Sequence, residues 1–101
     1  MRTKKKPPSK AVFKRVQNRI EDVLYGRVRL DSESPAIQSA CQLFIYEGAV
    51  EILEINTREG RNNALARVPE LIRPYVKAEV MRVWELRKAE NEILHHVERA
   101  D

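Results

Sequence analysis

The sequence predicts an all-α fold, and three observations carry that expectation. Three Gly and five Pro in 101 residues are too few for the many turns of a β architecture. Apolar residues recur at helical rather than alternating spacing through most of the chain. Helix boundary signals also fall where the periodic segments begin and end, Ser34-Pro35 before one and Gly26 after another. The length suits one domain near the lower edge at which a single core is stable. A 43% hydrophobic content is enough for a globular body, and 34% charged residues clothe its surface.

Residues 1–8 read as a flexible basic arm, because Pro7-Pro8 does not start a helix and the preceding lysines repel one another. Ser9 is then a suitable N-cap. Phe13, Val16, Ile20 and Leu24, with Val12 and Val23 beside them, make the stripe of a first helix that Gly26 stops. Lys10 and Lys14 lie off that stripe. In "RVRLDSESP", Val28 and Leu30 alternate with Arg27 and Arg29, as in a short extended loop or strand. Ser34 caps the next helix and Pro35 takes its first position.

The segment "AIQSACQLFIYEGAVEILEINTREG" reads as one central helix of about 24 residues, about 36 Å long, ending at Gly60. Ile37, Cys41, Phe44, Ile45, Gly48, Ile52 and Ile55 line one face. Leu43, Val50 and Leu53 line the other, with Tyr46 between. A helix apolar on two sides must be covered on two sides. So short a chain has few helices to do that, which points to a partner chain. Beyond it, Pro69 is expected in the first turn of a short helix, and Pro74 is expected to kink or end it. From Tyr75 a long helix follows. Val76, Val83, Leu86, Ile93 and Val97 fall near heptad spacing, Val80, Trp84 and Leu94 widen the stripe, and Glu79 and Glu90 interrupt it.

Charge is distributed unevenly. Eight of the 19 Lys and Arg residues precede the first acid at Glu21, so the other eleven face all 15 acids. A basic arm is thus joined to a mildly acidic body. Such an arm suits a nucleic acid above all, since each cation placed at a phosphate releases counterions. "KKKPPSK" also fits a nuclear import address. One cysteine, Cys41, makes no intrachain disulfide, which fits a reducing compartment. No apolar run follows the basic start and none approaches the roughly 18–20 residues of a membrane span. A soluble intracellular protein without membrane partners is expected.

Catalytic and metal sites are not expected, nor is any cofactor. Glu92 and His95 have the Glu-x-x-His spacing of di-iron bundles, but no second pair exists and Ile93, Leu94 and Val97 turn them towards solvent. Cys41 sits mid-helix on an apolar face, far in sequence from His95 and His96. The three glycines form no phosphate loop, and the helices around Gly60 are too long for a helix-turn-helix.

Short helix, loop, long central helix, loop, short helix is an order that resembles the histone fold. The lead-in "KKKPPSKAVFKRV", the loop "RVRLDSESP", the central "ACQLFIYEGAVEILEI" and the later "ARVPELI" carry the likeness, which is greatest to histone-fold proteins of the kinetochore. It spans residues 9–76, leaving 77–101 as a helical extension longer than that fold requires. "RNNALARVPE" lacks the Thr of the usual second-loop element, and Pro74 falls where the third helix should continue. The resemblance implies a non-enzymatic, nuclear, chromosome- or centromere-bound subunit, forming an obligate heterodimer with a second histone-fold protein. It implies DNA contacts from Lys4, Lys5 and Lys6 on the arm, Lys10, Lys14 and Arg15 on the first helix, and Arg27, Arg29, Arg58 and Arg61 in the loops. Such contacts are to phosphate, with little sequence specificity. Leu43, Phe44, Tyr46, Val50, Leu53 and Trp84 are the expected partner interface, and the last helix would join a larger complex. Two readings compete with this one. The first is a homo-oligomeric nucleic-acid-binding accessory protein of phage or plasmid origin, acting in packaging or partition and cytoplasmic. The second is a protein–protein adaptor with a solubilising tail.

Overall fold

The computed structural model describes residues 10–99, and they are all-α, with no strand among them. Four helices follow in order: α1 (Lys10–Leu24), α2 (Pro35–Leu53), α3 (Arg58–Ala66) and α4 (Arg73–Arg99). The arm at 1–8 and the Ser9 cap lie outside the described residues.

Helix α1 stops where Gly26 adopts φ +75. The Gly26 amide donates to the Val23 carbonyl (3.0 Å) and the Arg27 amide to that of Asp22 (2.8 Å), the two bonds of a Schellman cap. The side chains of Arg27 and Asp22 then pair at 3.1 Å, where such caps ordinarily place an apolar contact. The stretch expected as an extended loop or strand is a loop, with Arg29 in extended backbone, and a single 3-10 turn at Leu30–Ser32 follows it and places Leu30 in the core at 3% exposure. Helix α2 starts as its sequence signals dictate. The Ser34 hydroxyl accepts from the Ile37 amide at 3.3 Å, and Pro35 occupies the first turn.

The central helix is shorter than the sequence predicts, 19 residues rather than about 24. Apolar periodicity runs on through Ile55, but Thr57 breaks the backbone. Its hydroxyl accepts from the Gly60 amide at 3.0 Å, which makes Thr57 the N-cap of α3. The Arg61 guanidinium donates to the Ile55 carbonyl at 2.8 Å and so satisfies a group left open by the break. Gly60 therefore sits inside α3 rather than ending α2. A Cβ on it would meet Ile55 Cγ2 at 2.7 Å and Thr57 Oγ1 at 2.8 Å.

Both later prolines differ from expectation. Pro69 lies between helices, where its carbonyl accepts from the Ile72 and Arg73 amides (3.1 and 2.9 Å). Pro74 is the second residue of α4, a place where a missing N–H costs nothing, so it opens the helix rather than kinking it. The Arg73 guanidinium reaches back to the carbonyls of Ala66 (3.1 Å) and Val68 (2.8 Å), tying the end of α3 to the start of α4.

The core is small. Val23, Leu30, Cys41, Ile45, Ile52, Ile72 and Val76 form one buried cluster, flanked by Ile20, Ile37, Leu65 and Val80. On α2 the buried residues are Cys41, Ile45, Ala49 and Ile52, one face at i, i+4, i+8 and i+11. The turn before α4 meets the segment that joins α1 to α2, where Pro69 touches Gly26. Val80, Met81 and Trp84 share a cleft with Ile52 and Leu53 at the C-terminal end of α2. Helix α4 thus runs in the same direction as α2, with α3 as the return stroke. It then continues past α2, and residues 85–95 are all exposed. The near-heptad stripe is accordingly buried at Val76 and Val83 but exposed at Leu86, Ile93 and Leu94. Helix α1 overhangs in its own way, with Phe13 at 64% and Val16 at 41% exposure. The radius of gyration, 18.4 Å, exceeds the roughly 13 Å of a compact chain of this length.

Candidate functional site

The structure sorts the candidate DNA-contacting cations into three environments. Lys10, Lys14 and Arg15 stand on the exposed part of α1, and none pairs with a carboxylate among the described residues. No acidic residue occupies the first turn of α1, where the helix dipole would favour one. Lys10 and Lys14 also repel one another at i,i+4. The beginning of α1 is therefore a cationic helix end with no compensating carboxylate among the described residues. Lys4, Lys5 and Lys6 lie outside the described residues.

Arg27 and Arg29 are different, because both have carboxylate partners. Arg27 pairs with Asp22 and lies over the Tyr25 ring, 5.2 Å from its centroid. Arg29 makes a forked pair with Asp31 at 3.1 and 3.2 Å, and that carboxylate raises the guanidinium pKa further above its ordinary value. A phosphate reaching either would compete with a carboxylate already in place. Nearby, Arg19 makes a second forked pair with Glu33, Nε to Oε1 at 2.9 Å and Nη2 to Oε2. These hydrogen bonds hold the Glu33 carboxyl below its usual range, against the opposing effect of desolvation.

Arg58 and Arg61 are on α3, beyond the opposite end of α2 from Arg27 and Arg29. Helix α2, about 28 Å long, lies in the chain between the two pairs. Arg58 and Arg61 line a cleft of about 490 Å³ between the end of α2, α3 and α4. Lys77 is the third cation there. Ile52, Leu53, Leu65, Val80, Met81 and Trp84 supply its apolar wall. Trp84 is 46% exposed, with the Lys88 ammonium 5.2 Å from its ring centroid.

Of the expected partner residues, five lie on α2 outside its buried face, and Trp84 lies on α4 in the cleft. Leu43 is 67% exposed, Phe44 48% and Tyr46 45%, while Val50 and Leu53 are half-buried. The sequence grouped Phe44 with Cys41 and Ile45 on one face, but Phe44 sits 100° around the helix from Ile45, at the edge that α1 and α4 leave uncovered. Leu43, Tyr46, Val50 and Leu53 follow a 3-4-3 spacing, the seam of a helix that packs along another helix. The sequence showed that α2 is apolar on two sides; that one side forms such a seam emerges only once the core side is known.

Cys41 is fully buried, and burial pushes its thiol pKa up, the wrong direction for a nucleophile. Among the described residues no three His, Cys, Asp or Glu side chains gather closely enough to hold a metal ion. No helix among them is long and apolar enough to cross a membrane. Set against protein-family models, curated proteins and solved structures, the chain matches none.

Proposed function

We propose that the chain is a non-enzymatic, nucleic-acid-binding assembly subunit that works paired with a second helical chain. The seam Leu43, Tyr46, Val50 and Leu53, exposed at Leu43 and Tyr46 and half-buried at Val50 and Leu53, lies outside the buried face of the same helix and carries this reading. Leaving Leu43 two-thirds exposed forfeits most of the 1.5–3 kcal/mol its burial would contribute, and Phe44 and Tyr46 add to the loss. A partner helix laid along the seam recovers that energy. It also supports a chain whose own core is too small for its extended shape.

Pairing gives the basic helix its use. The cationic beginning of α1 is unfavourable in isolation, and a polyanion beside it relieves both the i,i+4 repulsion and the dipole. Lys10, Lys14 and Arg15 are then phosphate contacts, continued by the lysine arm. In the histone-fold version of this reading the partner is a second histone-fold protein in a kinetochore or chromatin assembly, and the two-sided α2 supports it. The homomeric version is supported by the overhang of α4, whose exposed Leu86, Ile93 and Leu94 suit burial between copies of the chain.

The test is duplex DNA binding across a salt series, with the Lys10→Glu/Lys14→Glu/Arg15→Glu variant beside the native chain. Losing three phosphate contacts lowers the slope of log K against log salt by about 2.7. Sequence composition of the duplex should matter little. An unchanged slope would remove α1 from the binding surface.

A further inference from the structure

From the cleft at the end of α2 we infer a second interaction site, one that receives an acidic amphipathic helix from a partner protein. Two properties of its wall select that occupant. The first is charge: Arg58, Arg61 and Lys77 line the cleft and no carboxylate does, although the body beyond residue 19 carries more acids than bases. The second is apolar surface: Val80, Met81 and Trp84 are gathered under those cations, with Met81 at 54% exposure, and Leu53 joins this wall to the α2 seam. A volume of about 490 Å³ takes the side chains of about one or two helical turns. Leucines spaced i, i+3 and i+4 would fill the apolar wall, and flanking Glu or Asp would meet the guanidinium and ammonium groups.

A phosphate backbone satisfies only half of this wall, because it brings no apolar surface to Leu53, Val80 and Met81. The Lys88 ammonium already lies over one face of the Trp84 ring, 5.2 Å from its centroid, where a stacked base would have to displace it. Arg61 is also committed in part, through its bond to the Ile55 carbonyl, which fixes its guanidinium at the cleft edge. Arg58 and Arg61, which the resemblance assigns to DNA, thus serve a protein ligand in this inference. The site is distinct from the basic part of α1 and does not depend on nucleic-acid binding.

Trp84 is the chain's only tryptophan, so its fluorescence reports the cleft directly. The full-length chain is titrated with a helical peptide bearing Leu at i, i+3, i+4 and i+7 and flanking Glu. A matched peptide with Lys in place of Glu and single-stranded oligo-dT serve as competing probes. The expected result is a saturable blue shift with the Glu peptide alone. In Arg58→Glu/Lys77→Glu, which changes two side chains that make no hydrogen bond among the described residues, the Glu peptide should bind about tenfold more weakly per lost pair. The same variant should gain affinity for the Lys peptide, a result that misfolding cannot imitate. Equal responses to both peptides, or no response, would overturn the assignment. So would a response to oligo-dT that Arg58→Glu/Lys77→Glu abolishes, which gives the cleft to nucleic acid. A blue shift that grows with protein concentration alone would give it to a second copy.

Discussion

Replacing Gly26 with Ala probes the joint on which the fold turns, and its cost can be worked from geometry. Gly26 holds φ +75, and a left-handed backbone costs an L-residue with a Cβ about 1–2 kcal/mol. The added Cβ would also lie 2.6 Å from Pro69 Cβ, against an optimal carbon–carbon separation of about 3.5–4.0 Å. Opening that contact by an ångström separates the cap of α1 from the turn before α4, and overpacking of this kind costs about 1–3 kcal/mol. The stiffer unfolded chain returns about 0.4–1 kcal/mol. The net expectation is a loss of about 2–4 kcal/mol. With m near about 1.5 kcal/mol/M, the urea midpoint falls by about 1.3–2.7 M. Protein concentration must be held fixed, since assembly stabilises by mass action. Gly48→Ala is the internal control. Gly48 is inside α2 with no atom within 4 Å of an added Cβ, so alanine there gains helix propensity worth about 0.8–1 kcal/mol. The two substitutions should move the midpoint in opposite directions. A neutral Gly26→Ala would refute both the left-handed cap and its contact with Pro69.

Two further outcomes follow from charge and burial. Because Arg19 depresses the Glu33 pKa, the unfolded state binds more protons than the folded one as pH falls through the carboxylate range. The pair's contribution is therefore present above the ordinary glutamate pKa and is lost as pH falls through the lowered one. Glu33→Gln should be less stable than the native chain at neutral pH, with the gap closing in acid; a constant gap would show that the pair does not form. Cys41, buried with a raised pKa, should resist a disulfide-exchange reagent in native buffer and react fully in urea. Rapid native labelling would place it outside the core.

Much of this architecture is legible in the sequence, and the misreadings have definite physical causes. Ser34-Pro35 and Gly26 act as written, because each fixes a local backbone geometry that tertiary contacts do not override. The break after Leu53 is hidden because the apolar period continues through Ile55 while Thr57 takes over the local hydrogen bonding. Pro74 looks like an interruption only if α4 is assumed to begin earlier; the turn from Pro69 to Ile72 sets its start. On α2 both sides are apolar, so periodicity alone does not say which side the chain itself covers. Arg27 reads as a free cation until the Schellman cap brings Asp22 beneath it. Nor does sequence spacing reveal the cleft, since it gathers residues from α2, α3 and α4.

The most direct test of pairing through α2 is the solution mass of the purified chain by light scattering over a range of concentrations, with Leu43→Asp alongside. The native protein should show a mass well above the 11.8 kDa of one chain. A defined multiple favours the homomer. A polydisperse mass that one helical partner resolves favours the heterodimer. In either case Leu43→Asp should shift the mass towards a single chain while keeping its helical circular dichroism. A native chain that stays at 11.8 kDa at every concentration and unfolds in one sharp transition would contradict the account.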